Sequence, residues 1–249
     1  MEAPEAPLNA EQPEERPSVD VLWVSPRHLA GDDGELAERV GDELVGAGWP
    51  YWVTARRTLF YASPDQLRCA EWVMADPLTT ELADLPVAWE ISAREDSSRA
   101  TVNWTAYFTR GVPYEAVATF ALAVADRTEP AWGFDGPEAV PEMLVAGGWQ
   151  GDVDDPNFTL WDDSFTACMT RAPLPDGIHD QDPRPDMPGW QAWSQPEVAG
   201  PYLWVAAFST STPHELVAAF AAGLVGEAPV PRRVLPASSR ARLTIRPSL

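Results

Sequence analysis

The residues of this 249-residue chain whose types could do chemistry are three histidines, two cysteines and one acidic stretch. His28, His179 and His214 share no ligand spacing, so a zinc site or a hydrolytic triad would need partners carried in by neighbouring elements. Asp152 to Asp163 spaces its carboxylates like a calcium loop. However, its fifth position is Pro156, its sixth is Asn157 where the turn requires Gly, and its twelfth is Asp163 where a bidentate Glu is needed. A solvated acidic turn is the simpler reading. There is no G-x-G-x-x-G and no P-loop, and Cys69 and Cys168 read as small apolar residues on strands. No catalytic residue, metal ligand or cofactor is assigned, and the set points away from an enzyme.

Aromatic residues are the other candidates, because an exposed ring can stack on a base or anchor a protein partner. Trp49 and Trp149, like Trp104 and Trp204, recur at equal spacing in two halves of the chain and read as core. Tyr51, Trp52, Trp161 and Trp193 have no such counterpart and are the binding candidates. The arginines at positions 232, 233, 240, 242 and 246 join them. Arg232, Arg233, Arg240, Arg242 and Arg246 carry all the charge of residues 228–249, which contain no acid.

The elements that must position these residues are set by a duplication. Trp104 to Ala121 and Trp204 to Ala221 both fit W-x-A-x-F-x4-P-x-E-x-V-A-x-F-A, with every matched pair 100 positions apart. Gly48-Trp49 and Gly148-Trp149 keep the same offset. Two α+β units follow from it, each an antiparallel sheet of four to five strands with flanking helices. In the first, Leu36, Val40 and Leu44 predict a helix over 35–47, with Asp33 as its N-cap and Gly48 as its stop. Strands are expected over 51–55, 58–62, 67–73, 87–93 and 101–108, then a helix that starts at Pro113. The second unit repeats the pattern, and Thr212-Pro-His-Glu215 has the spacing of a capping box.

Four segments result. Residues 1–18, with five Glu and four Pro, form a disordered acidic tail. Residues 19–127 and 128–227 form the two units, and 228–249 an extended Arg/Pro-rich arm that could be deleted with little change in melting temperature. All seventeen basic residues are Arg, and residues 1–227 hold twelve of them against thirty-eight acids. A body this acidic repels phosphate backbones. With no apolar run long enough to span a membrane and no signal-like N-terminus, the chain reads as cytoplasmic.

The Gly48-Trp49 turn, the Ser63-Pro64-Asp65 turn after a strand, and the tryptophan strand running into the P-x-E-x-V-A-x-F helix resemble the SPDY-type domain of streptomycetes and their relatives. Arg27-His28-Leu29-Ala30-Gly31 is similar to the head of that domain, and the resemblance covers roughly residues 21–225. The family usually occurs in tandem and is a domain of unknown function. Here Gln66 stands where the family name implies Tyr, and the second unit has Trp161-Asp-Asp163-Ser in place of the turn. The turn is not a reactive set, so the resemblance implies no catalytic role.

The expected function is a non-catalytic protein-interaction or adaptor role. One alternative is a protein associated with single-stranded nucleic acid through a sheet face and the Arg-rich arm; another is an enzyme with its site between the units.

Overall fold

A computed structural model describes residues 21–74, 80–98, 101–127, 136–152, 155, 157–174 and 184–247. The acidic tail of 1–18 and His179 therefore lie outside the described residues. Strand β1 (Leu22–Ser25) and a single helical turn, α1 (Arg27–Ala30), come first and are joined through a cis Ser25–Pro26 bond. Helix α2 (Leu36–Gly46) buries Leu36, Val40 and Leu44. Its entry is held by Asp32, whose Oδ1 accepts from the backbone N–H of Gly34 and Leu36, and not by Asp33. It ends where Gly48 takes φ +84° and Trp49 N–H returns to Leu44 O, a left-handed stop that Gly148 and Trp149 repeat on Leu144.

The first unit continues through β2 (Tyr51–Val53), β3 (Leu59–Ala62), β4 (Arg68–Trp72), the short β5 (Glu81–Leu82), β6 (Leu85–Ala93) and β7 (Trp104–Thr109) into α3 (Tyr114–Asp126). The second has α4 (Ala139–Ala146), β8 (Gln150–Gly151), β9 (Leu160–Trp161), β10 (Ala167–Arg171), β11 (Pro188–Ser194), β12 (Trp204–Ser209) and α5 (His214–Val225). This is an α+β fold with antiparallel sheets. Pro113 and Pro213 stand at the N-cap positions, and neither helix has a side-chain cap there. The capping box does not form: Thr212 Oγ1 turns to Ser209 and the carbonyl of Thr105, while Glu215 pairs with Arg127.

One sheet runs through both units, in the order β2-β3-β4-β6-β7-β12-β11-β10-β9-β8, with β5 paired on β6. At the junction, Phe108 lies opposite Ala206, Tyr107 opposite Ala207 and Ala106 opposite Phe208. With the repeat offset of 100, the first and last pairs are each other's exchange, so a local twofold passes between Tyr107 and Ala207. Helices α2, α3, α4 and α5 pack on one face of this sheet in a single core. Phe108, Phe120, Phe208 and Phe220 meet there across the two units, with ring centroids 5.2 to 5.6 Å apart.

The C-terminal segment corrects the expectation of an extended arm. β13 (Val230–Arg232) and β14 (Thr244–Pro247) flank β1 on either side in a second, three-stranded sheet, and a 3₁₀ turn over Arg240–Arg242 lies between them. β1 therefore belongs with the C-terminus and not with the first unit's sheet. Arg232 is fully buried, its guanidinium gripping Glu115 at 2.8 and 2.6 Å while its Nε donates to Gly31 O. A second such pair joins the units directly, since Arg127, which follows α3, pairs with Glu215 of α5. Polar periodicity could not reveal the docking, because these strands are short and their pairing is non-local.

Candidate functional site

The sheet face away from the helices carries the candidate site. Period-two alternation places every second strand residue there, and the register lines them up across strands: Trp52, Phe60, Glu71, Glu90, Tyr107 and Ala207 form one row. Trp52 packs on Phe60 at 4.9 Å between centroids on the terminal strand of the sheet. Trp52 is 48% exposed, and neighbouring Tyr51, which stacks on Tyr61 towards the helix side, is 57% exposed. In the second unit a shorter row runs Trp161, Cys168, Trp193, with the two indoles edge-to-face at 5.9 Å.

Phe165 completes the second cluster, 6.3 Å from Trp161 and 69% exposed. Its φ of +56° is costly for a bulky residue, so a large apolar ring is held out in solvent by a turn that glycine would make more easily. That turn is the counterpart of Ser63-Pro64-Asp65, with the acid and hydroxyl exchanged. Ser63 Oγ donates to Asp65 in the first, whereas Ser164 Oγ donates to Asp162 in the second.

Between the aromatic clusters the row is acidic. Glu71 and Glu90 face each other on adjacent strands, an arrangement of like charges that is unfavourable. Glu71 accepts from the Thr58 hydroxyl and, at 3.2 Å, from the largely exposed Arg56. The Glu90 carboxylate has no side-chain hydrogen bond among the described residues, and burial together with the Glu71 charge raises its pKa. Burial and Glu90 also raise the pKa of Tyr107.

A second constellation lies beside the turn that carries Phe165. A cleft of about 440 Å³ is lined by Arg27, His28, Trp149 and Asp162, where α1 meets the second unit. His28 and Asp162 are both buried, with Nε2 3.5 Å from the carboxylate and 3.3 Å from Thr166 Oγ1. Burial pushes the Asp162 pKa up, but His28, the Ser164 hydroxyl and the Ala167 N–H outweigh it and hold the carboxyl well below the usual range. Asp162 also accepts the N–H groups of Ser164 and Thr166. With its lone pairs engaged and both hydroxyl protons directed at it, Asp162 anchors its turn and leaves no activated nucleophile.

The predicted binding residues thus divide. Trp52, Trp161 and Trp193 share the open face, and Tyr51 lies beside it. Arg232 is a buried structural cation; Arg233 pairs with Glu35; Arg240, Arg242 and Arg246 are exposed on the C-terminal segment, away from the aromatic row. Phe60, Glu71, Glu90, Tyr107 and Phe165 were missed. Strand alternation puts Glu71 on the parity of Phe60's partner, but only the register brings Glu90 opposite it.

A family model for SPDY, a domain of unknown function (DUF317), matches residues 62–130 and 176–230. The chain carries two SPDY-type segments. Comparison with curated proteins gives no match, and comparison with solved structures gives none either. Both SPDY segments contain the tryptophan strand and the helix after it, the parts that build the junction of the sheet. Glu71, Glu90, Tyr107 and Trp193 fall inside them, while Trp52, Phe60, Trp161 and Phe165 fall outside.

Proposed function

We propose that this chain is a non-catalytic interaction protein of the cytoplasm whose docking surface is the open face of its shared sheet. What carries the reading is that exposed rings of both units, Trp52 and Phe165, stand on the one face that no described helix covers. Aromatic anchors of this kind dominate protein interfaces when a partner desolvates them. No described helix is long and apolar enough to cross a membrane, which agrees with a partner met in solution.

Single-stranded nucleic acid uses similar faces, but here Glu71 and Glu90 occupy the centre of the row where phosphates would have to approach. The exposed arginines of the C-terminal segment lie in or beside the separate three-stranded sheet. The cleft beside α1 supports an enzyme less well, because Asp162 is occupied in holding its turn.

The test is selection of peptides from a displayed library against the full chain, followed by rebinding to a Trp52→Ala/Phe165→Ala double variant that retains the wild-type melting temperature. Selected peptides should lose at least about tenfold in affinity. Peptides that bind both proteins equally would remove the open face from the function.

A further inference from the structure

The partner's chemistry follows from what lies between the rings, on the premise that the open face is the docking surface. Five strands at a spacing of ~4.8 Å carry the row from Trp52 to Tyr107 over about 19 Å, roughly the length of a short strand. Trp52 and Phe60 stand at one end and Tyr107 at the other. Glu71 and Glu90 lie in the middle, directly opposite each other. Among the described residues, the charged groups that act on this stretch include these two carboxylates, Asp186 near Tyr107, Arg56, and Arg94 near the adjoining Cys69. Arg56 is mostly in solvent and is hydrogen-bonded to Glu71, and its attraction on Glu90 is smaller than the repulsion Glu90 feels from Glu71. A cation placed over Glu90 would relieve the repulsion and could lie on the adjacent Tyr107 ring as well.

We infer that the open face docks an extended cationic polypeptide segment, an arginine or lysine of which sits between Glu71 and Glu90 while apolar side chains rest on Trp52 and Phe60. A second copy of this chain does not fit that description, since two bodies of net charge −21 repel each other and each presents the same two carboxylates. Among the described residues the terminal strand β2, which carries Trp52, is paired only on its β3 side, so an extended partner could also add to the sheet there.

Fluorescence anisotropy with labelled strand-length peptides of alternating valine distinguishes the outcomes. The polar positions are arginine, lysine, glutamine or glutamate, and the proteins are the wild type, Glu90→Gln, Trp52→Ala and Glu43→Gln, a control on the exposed face of α2. All are full-length and checked to be folded by a single cooperative thermal transition. The arginine and lysine peptides should bind the wild type at least about tenfold tighter than the glutamine peptide, and the glutamate peptide should bind weakest. Glu90→Gln should remove most of that preference, Trp52→Ala should weaken every peptide, and Glu43→Gln should change nothing. Equal binding of cationic and neutral peptides, both weakened by Trp52→Ala, would overturn the cationic partner and leave the docking face standing. Cationic binding that is indifferent to both Glu90→Gln and Trp52→Ala is attraction to net charge alone and would overturn both. Absence of binding by the cationic peptides would overturn this inference directly.

Discussion

At Asp162, hydrogen bonding beats burial, and the sign of a titration follows. Its folded pKa lies below that of the unfolded chain, so its contribution to stability is present above about pH 4 and is lost as pH falls through the folded value. Asp162→Asn should destabilise the protein by about 2 to 3 kcal/mol at pH 7, and the gap to wild type in urea midpoints should narrow at pH 3. A constant gap would show that the charge does not matter. Glu90 has the opposite sign. Its pKa is raised in the folded state, so the contribution it makes below the unfolded pKa is lost as pH rises through the folded one. Glu90→Gln is expected to stabilise by up to ~1 kcal/mol at pH 7 and by little at pH 4. Denaturant melts at the two pH values check it.

At the level of elements, α3 and α5 are the centre of the core and approach each other very closely. A Cβ on Gly223 would stand 2.8 Å from the Cα of Ala116 and from the carbonyl oxygen of Glu115. Alanine is the better helix former by about 1 kcal/mol, yet forcing backbones apart costs about 1 to 3 kcal/mol. Gly223→Ala should therefore lower stability, and a gain would mean that the helices part easily. Phe120 and Phe220 occupy equivalent buried places, and replacing either by Ala should cost about 3 to 5 kcal/mol. Denaturant midpoints at an unchanged slope are the measurement for both.

For the whole molecule, the junction of β7 with β12 and the crossing of the four phenylalanines make one core of two repeats. The chain should unfold in a single transition with equal calorimetric and van't Hoff enthalpies. Two separate transitions would mean that the units fold alone. The C-terminal segment closes the molecule, because β13 and β14 hold β1 and Arg232 reaches the start of α3. Arg232→Ala leaves Glu115 without its cation and should cost about 3 to 5 kcal/mol, and deletion of residues 231–249 at least as much. An unchanged melting temperature after deletion would restore the tethered arm.

Repetition alone determined a good deal here. A spacing of 100 residues, with period two in the strands and Val117, Phe120 and Phe220 on helix faces, is sufficient to predict two α+β units, their order of elements and most of their buried tryptophans, because local periodicity and burial act within one element. The SPDY resemblance rested on the same residues. What tertiary structure decided is everything that depends on partners distant in the chain. The exchange of Tyr107 and Ala207 at the twofold, the docking of β13 and β14 on β1, the burial of Arg232 and the facing of Glu71 by Glu90 all rest on register. Five arginines in an acid-free segment look like a solvated arm until one of them finds a carboxylate over a hundred residues away. Side-chain type states which charges a strand carries, but only hydrogen-bond pairing between strands decides which charges meet.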